Sequence, residues 1–507
     1  MRTLTRHARA REARAGMVVP ALCRAVAEVV GVAASGIGGG TDFVRLGGTG
    51  TDSAAVLAVL RAYGAPPDLL VTHPRIGDAA AVLAAQPVPT VSADPATRAP
   101  GAHPVSFQQR ARLELAARTG PATHRRHAHA VVLTGADPAR LLTALALIGQ
   151  RHPALRTGIR HTPAGWQQLI HPRPVLDVDP TPVTGPGDAR RRALDALAGS
   201  RFDHTGGAPL AQWTLAGAGP VLLLVLVADE LVCDTRSWRA LLRELALAYR
   251  APDEIGPPPP SPGDYTRWQR QLTPPQVYQQ QLDWWTTRLT GYQPGLLAPA
   301  GSASTGPSAG LRVSVPLSAA VTHGLGGGHA SLLRTLITLT AIHVGAWAGA
   351  EDVVVATELA SRTDSLAATV GMIAATRPHR LYLTGARGRH ALAETVRDWW
   401  AQGWHRGAVP IDHLSTELGC DLDAVAVSYA GQPRGTLPVI GTEPPVPLRL
   451  PPTRQHRTLD IAAQHQHAVL TLRARYRTDR IQRRATQRIL HAITTDLRAL
   501  TAGARTR

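Results

Sequence analysis

Apolar residues along the chain follow two kinds of spacing, and the sharpest change between them lies within residues 220–250. Val221–Val227 is an unbroken apolar run of strand length, which predicts a strand buried on both faces. From Trp238 onward, Leu241, Leu242, Leu245 and Tyr249 recur at helical spacing and predict one buried helix face. The link between them carries three acids, Asp229, Glu230 and Asp234, together with Cys233 and Ser237. Carboxylates in a short link between buried elements are costly unless they are paired or used. The link is therefore either a solvated turn with Ser237 as N-cap or a site. Helical spacing also predicts helices through Leu22, Val26, Val29 and Val30, through Val56, Leu57, Val59 and Leu60, and through Tyr278, Leu282, Trp285 and Leu289. Leu332–Thr357 reads as a buried helix feeding a strand, and Ile489–Leu500 as a closing helix. Residues 88–102 are rich in proline, serine and alanine without a period, which marks a linker. Residues 1–15 form a basic tail.

Composition narrows the classes. A chain of 507 residues has room for two or three domains and a sizeable core. Arginine supplies every basic charge, and the formal net charge is +18. Nucleic-acid binding calls for a basic stripe with interleaved aromatics, whereas here the arginines cluster only briefly, at Arg190–Arg192 and Arg473–Arg484. An acidic partner protein suits this surface better, since opposite charge steers encounter. Cys23, Cys233 and Cys420 are far apart and imply neither a disulfide framework nor a cysteine zinc site. The N-terminus lacks the apolar core of a signal peptide, and no run reaches membrane-spanning length. The expectation is a soluble cytoplasmic protein with no nucleic-acid or membrane partner. His124, His127 and His129, with His465 and His467, have metal-like spacing, but no carboxylate or cysteine accompanies them at a fixed offset, so no metal is expected. Cys233 has no histidine beside it in sequence and reads as a buried thiol more than as a nucleophile.

Residues 103–507 resemble the condensation-domain superfamily of nonribosomal peptide synthetases at most of its landmarks. HPVSFQQRA (His103–Ala111) parallels the opening motif, and RHPALRTGI (Arg151–Ile159) follows the second, RHxxLRTxF. DYTRWQ (Asp264–Gln269) and YQQQLDWWTTRLTG (Tyr278–Gly291) match the segment linking two lobes. SRT (Ser361–Thr363), VGMIAATRPHR (Val370–Arg380) and LDIAAQ (Leu459–Gln464) parallel later motifs, with Ala375 where the family has asparagine. The signature HHxxxDG is altered: Asp229 and Glu230 replace the histidines and Thr235 the glycine, before LLRELALAY at Leu241–Tyr249. Asp229, Asp234 and Ser237 also fit the DxxxxDxxS of the heterocyclization branch.

The resemblance implies an α/β (α+β) fold of two chloramphenicol-acetyltransferase-like lobes, 103–275 and 276–507, around a tunnel where two carrier arms meet. It implies amide formation between a carrier-tethered acyl thioester and an amine, with acyl or peptidyl carrier proteins and other synthetase modules as partners. Their 4′-phosphopantetheine arms are the cofactor. Asp234 takes the place of an aspartate that pairs with an arginine, here Arg362. Glu230, where the key histidine stands in the family, becomes the candidate base, because a carboxyl in an apolar tunnel loses acidity. Asp229 supports the site, Ser237 completes the heterocyclization pattern, and Asp460 matches that branch's later aspartate. AVSYAG (Ala426–Gly431), with Ser428, replaces that branch's usual text, which weakens ring closure. A catalytically inactive recruitment module and an acyltransferase acting on a free alcohol or amine stay open as alternatives.

Residues 16–87 resemble a carrier domain through VAEVVGV (Val26–Val32), DFVRLGG (Asp42–Gly48) and THPRIGDAAAVLA (Thr72–Ala84). The family's modified serine falls on Gly50, and Ser53, preceded by Asp52, is a displaced candidate for 4′-phosphopantetheine. The alternatives are a working carrier, a degenerate unit kept for docking, or an unrelated helical bundle.

Overall fold

The structure is a computed structural model and describes residues 18–27, 29–30, 36–47, 53, 56, 69–85, 91–120, 125–298, 305–316, 329–359, 364–384, 388–404, 406–430, 437–450, 455–466 and 469–503. Before residue 86 these form a small helical unit. Leu22 and Val26 meet Phe43, Val56, Leu70 and Ile76 in one buried core. Leu57, Val59 and Leu60 lie outside the described residues.

The described part of the expected linker, from residue 91, is docked. Val91 packs with Tyr265, Leu366 and Ile373. The carboxylate of Asp94 pairs with Arg267, while its amide N–H donates to Asp264 Oδ1 at 3.1 Å. Strand β1 (Gly101–Pro104) already belongs to a sheet. Composition marks this segment as loop, but an ion pair, apolar packing and hydrogen bonds hold it against the large domain.

Helix α1 (Phe107–Thr119) opens with a capping box, in which the Ser106 and Gln109 side chains satisfy each other's amide N–H groups. There follow β2 (Arg126–Thr134), α2 (Pro138–Arg151), β3 (Thr157–Thr162), β4 (Gly165–Ile170), β5 (Val175–Asp179), α3 (Pro186–Gly199), β6 (Gly206–Pro209), β7 (Ala211–Ala216), β8 (Val221–Asp229) and α4 (Ser237–Arg250). One sheet runs β1-β4-β3-β6. The other is centred on β8, between β2 and β7. Leu222, Leu224, Leu226 and Ala228 pack in the core that holds Leu141 of α2 and Leu241 of α4, while Leu223, Val225 and Val227 meet Ala189 and Ala193 of α3. Both faces are covered, as the unbroken apolar run predicts.

The second half supplies α5 (Pro262–Leu272), α6 (Pro275–Leu289), β9 (Ser308–Pro316), α7 (His329–Ala348), β10 (Asp352–Leu359), β11 (Ala375–Tyr382), α8 (Arg389–Trp404), α9 (Ile411–Leu418), β12 (Val425–Ala430), β13 (Val446–Leu448), β14 (Leu459–Gln466), β15 (Val469–Arg477) and α10 (Arg483–Gly503). Six strands form a mixed sheet in the order β11-β10-β12-β14-β15-β9. Leu336 and Ile337 of α7 and Leu490 and Ile493 of α10 pack in its core. The architecture is α+β.

A cut at 275/276 does not separate the three sheets cleanly. Strand β13 adds antiparallel to β2 at the edge of the first lobe's sheet, and Val370 and Ile440 are buried in the first lobe's core. The lobes are thus tied by exchanged backbone as well as by surface contact.

A stacked histidine lies inside the first lobe. His129 of β2 lies on Trp238 with ring centroids 4.9 Å apart and planes 7° from parallel. Its Nε2 is buried without a hydrogen-bond partner among the described residues, and burial, helped by neighbouring His127, pushes its pKa down to about 3. The folded value lies below the unfolded value near 6.5, so the contribution is intact above that pH and is lost as pH falls toward 3. His129→Phe keeps the stack and removes the proton. Urea unfolding across this window is expected to show wild type losing up to about 1.4 kcal/mol more per pH unit than the variant. Parallel profiles would contradict the neutral, buried imidazole.

Candidate functional site

The acidic link after β8 is a welded corner with no free carboxylate among its three acids. Asp229, fully buried, accepts from the Leu231 amide at 3.0 Å through Oδ1, and its Oδ2 lies 2.8 Å from His204 Nε2. Asp234 caps α4: its Oδ1 accepts from the amides of Arg236 and Ser237 at 3.2 and 3.0 Å and from Ser237 Oγ at 2.8 Å. Ser237 is therefore the first residue of α4 and not its N-cap. The other oxygen of Asp234 crosses to the second half of the chain, accepting from the amides of Ile373 and Ala374 at 3.3 and 3.2 Å. Ser237 Oγ also accepts from the Gly371 amide at 3.1 Å. Together they latch the corner to the segment leading into β11.

Glu230 continues the β2–β8 ladder by one step. Its amide donates to the Arg125 carbonyl at 2.9 Å, the Arg125 amide donates back to Oε1 at 3.1 Å, and Arg125 Nε donates to Oε2 at 2.8 Å. Arg112, buried on α1, places Nε 3.6 Å from Oε1 and reaches Asp412 of α9 with Nη2 at 3.1 Å. A carboxylate held between two guanidinium groups is stabilised as the anion and is a poor proton acceptor. The structure places Glu230, the candidate base, in ion pairs with Arg125 and Arg112.

These groups line a cavity between the lobes. Arg112, Arg125, His127, Glu230 and Asp234 face it from the first half, and Glu358, Met372, Arg377 and Asp412 from the second. Glu358 of β10 accepts from Thr235 Oγ1 at 3.1 Å, and burial raises its pKa, with Arg457 opposing. Burial also raises Asp412, to about 6, against the pull of Arg112.

The remaining expected residues lie elsewhere. Asp460 of β14 is absent from the cavity wall and sits 3.5 Å from Arg457 Nη1; Arg457 in turn pairs with Asp423 at 2.9 Å. Arg362 and His124 fall outside the described residues, as do Gly50, Asp52 and His467. Cys233 is buried, with Sγ 3.9 Å from the Asp234 carbonyl oxygen. Ser53 is fully buried, and its hydroxyl accepts from the Leu70 amide at 2.9 Å. A buried, bonded hydroxyl weighs against attachment of a phosphopantetheine arm in this conformation.

Residues 101–505 match the family described as Condensation domain. The chain belongs to the condensation-domain family. It is 33% identical over 290 residues to the probable non-canonical nonribosomal peptide synthetase CymA of Salinispora arenicola (strain CNS-205), which covers 53% of this chain but 4% of that protein. The solved complex of the X-domain and OxyB from teicoplanin biosynthesis covers 83% of this chain and 96% of the matched chain, at 18% identity and a TM-score of 0.66. The starter condensation domain of rhizomide synthetase, a double mutant solved with C8-CoA and Leu-SNAC, covers 79% and 95%, at 15% identity and a TM-score of 0.64. Both likenesses support the condensation fold. Among the described residues, no helix is long and apolar enough to cross a membrane.

The cavity of this condensation domain contains groups that motif reading passed over. Gln108 and Arg112 are buried four residues apart on α1, a polar pair on one helix face whose spacing was visible in the sequence. His127 was noticed only for its spacing from other histidines. Glu358, Arg377 and Asp412 converge through tertiary packing, and no local pattern announces them.

Two stability tests follow. Glu230→Ala leaves Arg112 and Arg125 without their shared counter-charge and is expected to cost about 3–5 kcal/mol, the range for breaking one side of a buried pair. Asp234→Ala removes charge-assisted bonds to both lobes and is expected to cost at least about 2 kcal/mol. Urea midpoints equal to wild type would contradict the welded corner. For Ser53, incubation with coenzyme A and a broad phosphopantetheinyl transferase is expected to leave the intact mass unchanged. A gain of one arm that Ser53→Ala abolishes would reinstate it as a modification site.

Proposed function

We propose that this condensation domain joins a carrier-tethered acyl thioester to an amine, as a cytoplasmic component of a nonribosomal peptide synthetase in secondary-metabolite biosynthesis. The observation that carries the reading is the cavity walled by both lobes, with the signature corner on one side and the Met372–Arg377 segment on the other. The 4′-phosphopantetheine arms of partner carriers would deliver both substrates there. Confining them makes attack a local event, and effective molarities of roughly 10⁵ M or more become available. Ring closure is not supported: Asp460 is off the cavity wall and paired, and Asp229 is bonded within its own corner.

A second reading, a recruitment module without turnover, is favoured by one feature: Glu230 stands in the signature position and is neutralised by Arg125 and Arg112. The test uses the full chain with straight-chain acyl-coenzyme A donors and with the N-acetylcysteamine thioesters of the standard amino acids. Mass spectrometry is expected to find an N-acyl aminoacyl thioester that forms faster than in the protein-free control. Product at the control rate for every pair, with retained binding of loaded carriers, would replace condensation by recruitment.

A further inference from the structure

The signature corner leaves no carboxylate free, yet the cavity wall includes a titratable side chain with no hydrogen-bond or ion-pair partner among the described residues. His127 stands on β2 directly opposite Ala228, the residue before Asp229. That register brings its imidazole to the cavity wall beside Glu230, Asp234 and Arg125. Among the described residues it makes no hydrogen bond or ion pair. The nearby His129, two residues along on the same face, is spent in its stack with Trp238, so the two histidines have separate fates. Burial lowers the His127 pKa and Arg125 lowers it further, while Glu230, Asp234 and Asp229 oppose. The net direction favours the neutral ring, whose bare nitrogen accepts a proton.

We propose that His127 is the proton acceptor of this condensation domain, acting from β2 in place of the altered signature loop. The inference rests on the condensation reading above. The amine nitrogen attacks the thioester carbonyl carbon, forming the C–N bond and placing a positive charge on nitrogen. His127 takes that proton, the carbon–sulfur bond breaks, and the imidazolium returns the proton to the departing thiolate. The amide and a free pantetheine thiol result, with no oxidant or other reactant required. Glu230, Asp234 and Asp229 are close enough to stabilise the transient imidazolium.

The experiment compares wild type with His127→Ala and His127→Gln, using the acyl-coenzyme A and aminoacyl thioester probes named above. Both variants are expected to lose roughly 10²–10⁴-fold in turnover, with thermal unfolding within a few degrees of wild type. Added imidazole is expected to restore part of the His127→Ala rate, a rescue that a purely structural role would not give. Wild-type turnover matched by both variants would overturn the assignment and leave condensation intact. A variant that loses activity without rescue while also unfolding early would assign His127 to structure and overturn the base. No wild-type product from any probe pair would overturn the condensation reading and the base together.

Discussion

The geometry of this domain depends on one buried carboxylate facing two ways. Asp234 caps the helix that follows the central strand and at the same time accepts from the Ile373 and Ala374 amides of the other lobe. A neutral cap would satisfy the helix and leave those amides without a charged acceptor. An anion serves both, because hydrogen bonds to a charged group are worth about 1.5–3 kcal/mol each, against roughly 1 for a neutral pair. The cavity exists where it does because this corner and that segment are held in register.

Around the latch, charge is balanced within a small space. Arg112 spans Glu230 on one lobe and Asp412 on the other, and Arg125 closes over Glu230. Removing several ions from water is expensive, and such a cluster persists only if nearly every member has a partner. The swap of histidine for glutamate in the signature therefore cannot be read as an exchange of one base for another. Glutamate at position 230 draws Arg125 and Arg112 into ion-pair contact.

Much of the scaffold was legible because its signals are local. The unbroken run at Val221–Val227 and the spacing of Leu241, Leu242 and Leu245 are properties of neighbouring residues, and the structure returns them as β8 and α4. The corner between them was recognisable as unusual from three acids in a row of six residues. Its pairing is not legible there because the partners come from distant chain: Arg112 is 118 positions before Glu230, and Asp412 is 182 after it. The surroundings of Ser53 are hidden for a related reason. An Asp-Ser pair after a glycine turn looks like a modification site in one dimension, and only packing against Leu70 reveals that the hydroxyl is consumed. The exchange of β13 onto β2 was invisible for the same cause, since Val446–Leu448 is too short for any period to mark it.

The same long-range pairing changes what a missing histidine means. In a cavity crowded with ion pairs, a side chain already neutralised cannot accept a proton without first breaking its partnership, which adds the cost of an uncompensated guanidinium to the barrier. A neutral imidazole faces no such cost. Charging it meets the cost of burial and the repulsion of Arg125, and the neighbouring carboxylates offset part of that cost. Arg125 takes part on both sides, pairing with Glu230 and, by its own charge, helping to keep His127 neutral beforehand. Loss of the signature histidine and tight pairing of its replacement are thus compatible with retained chemistry, provided that the proton moves to the neighbouring strand.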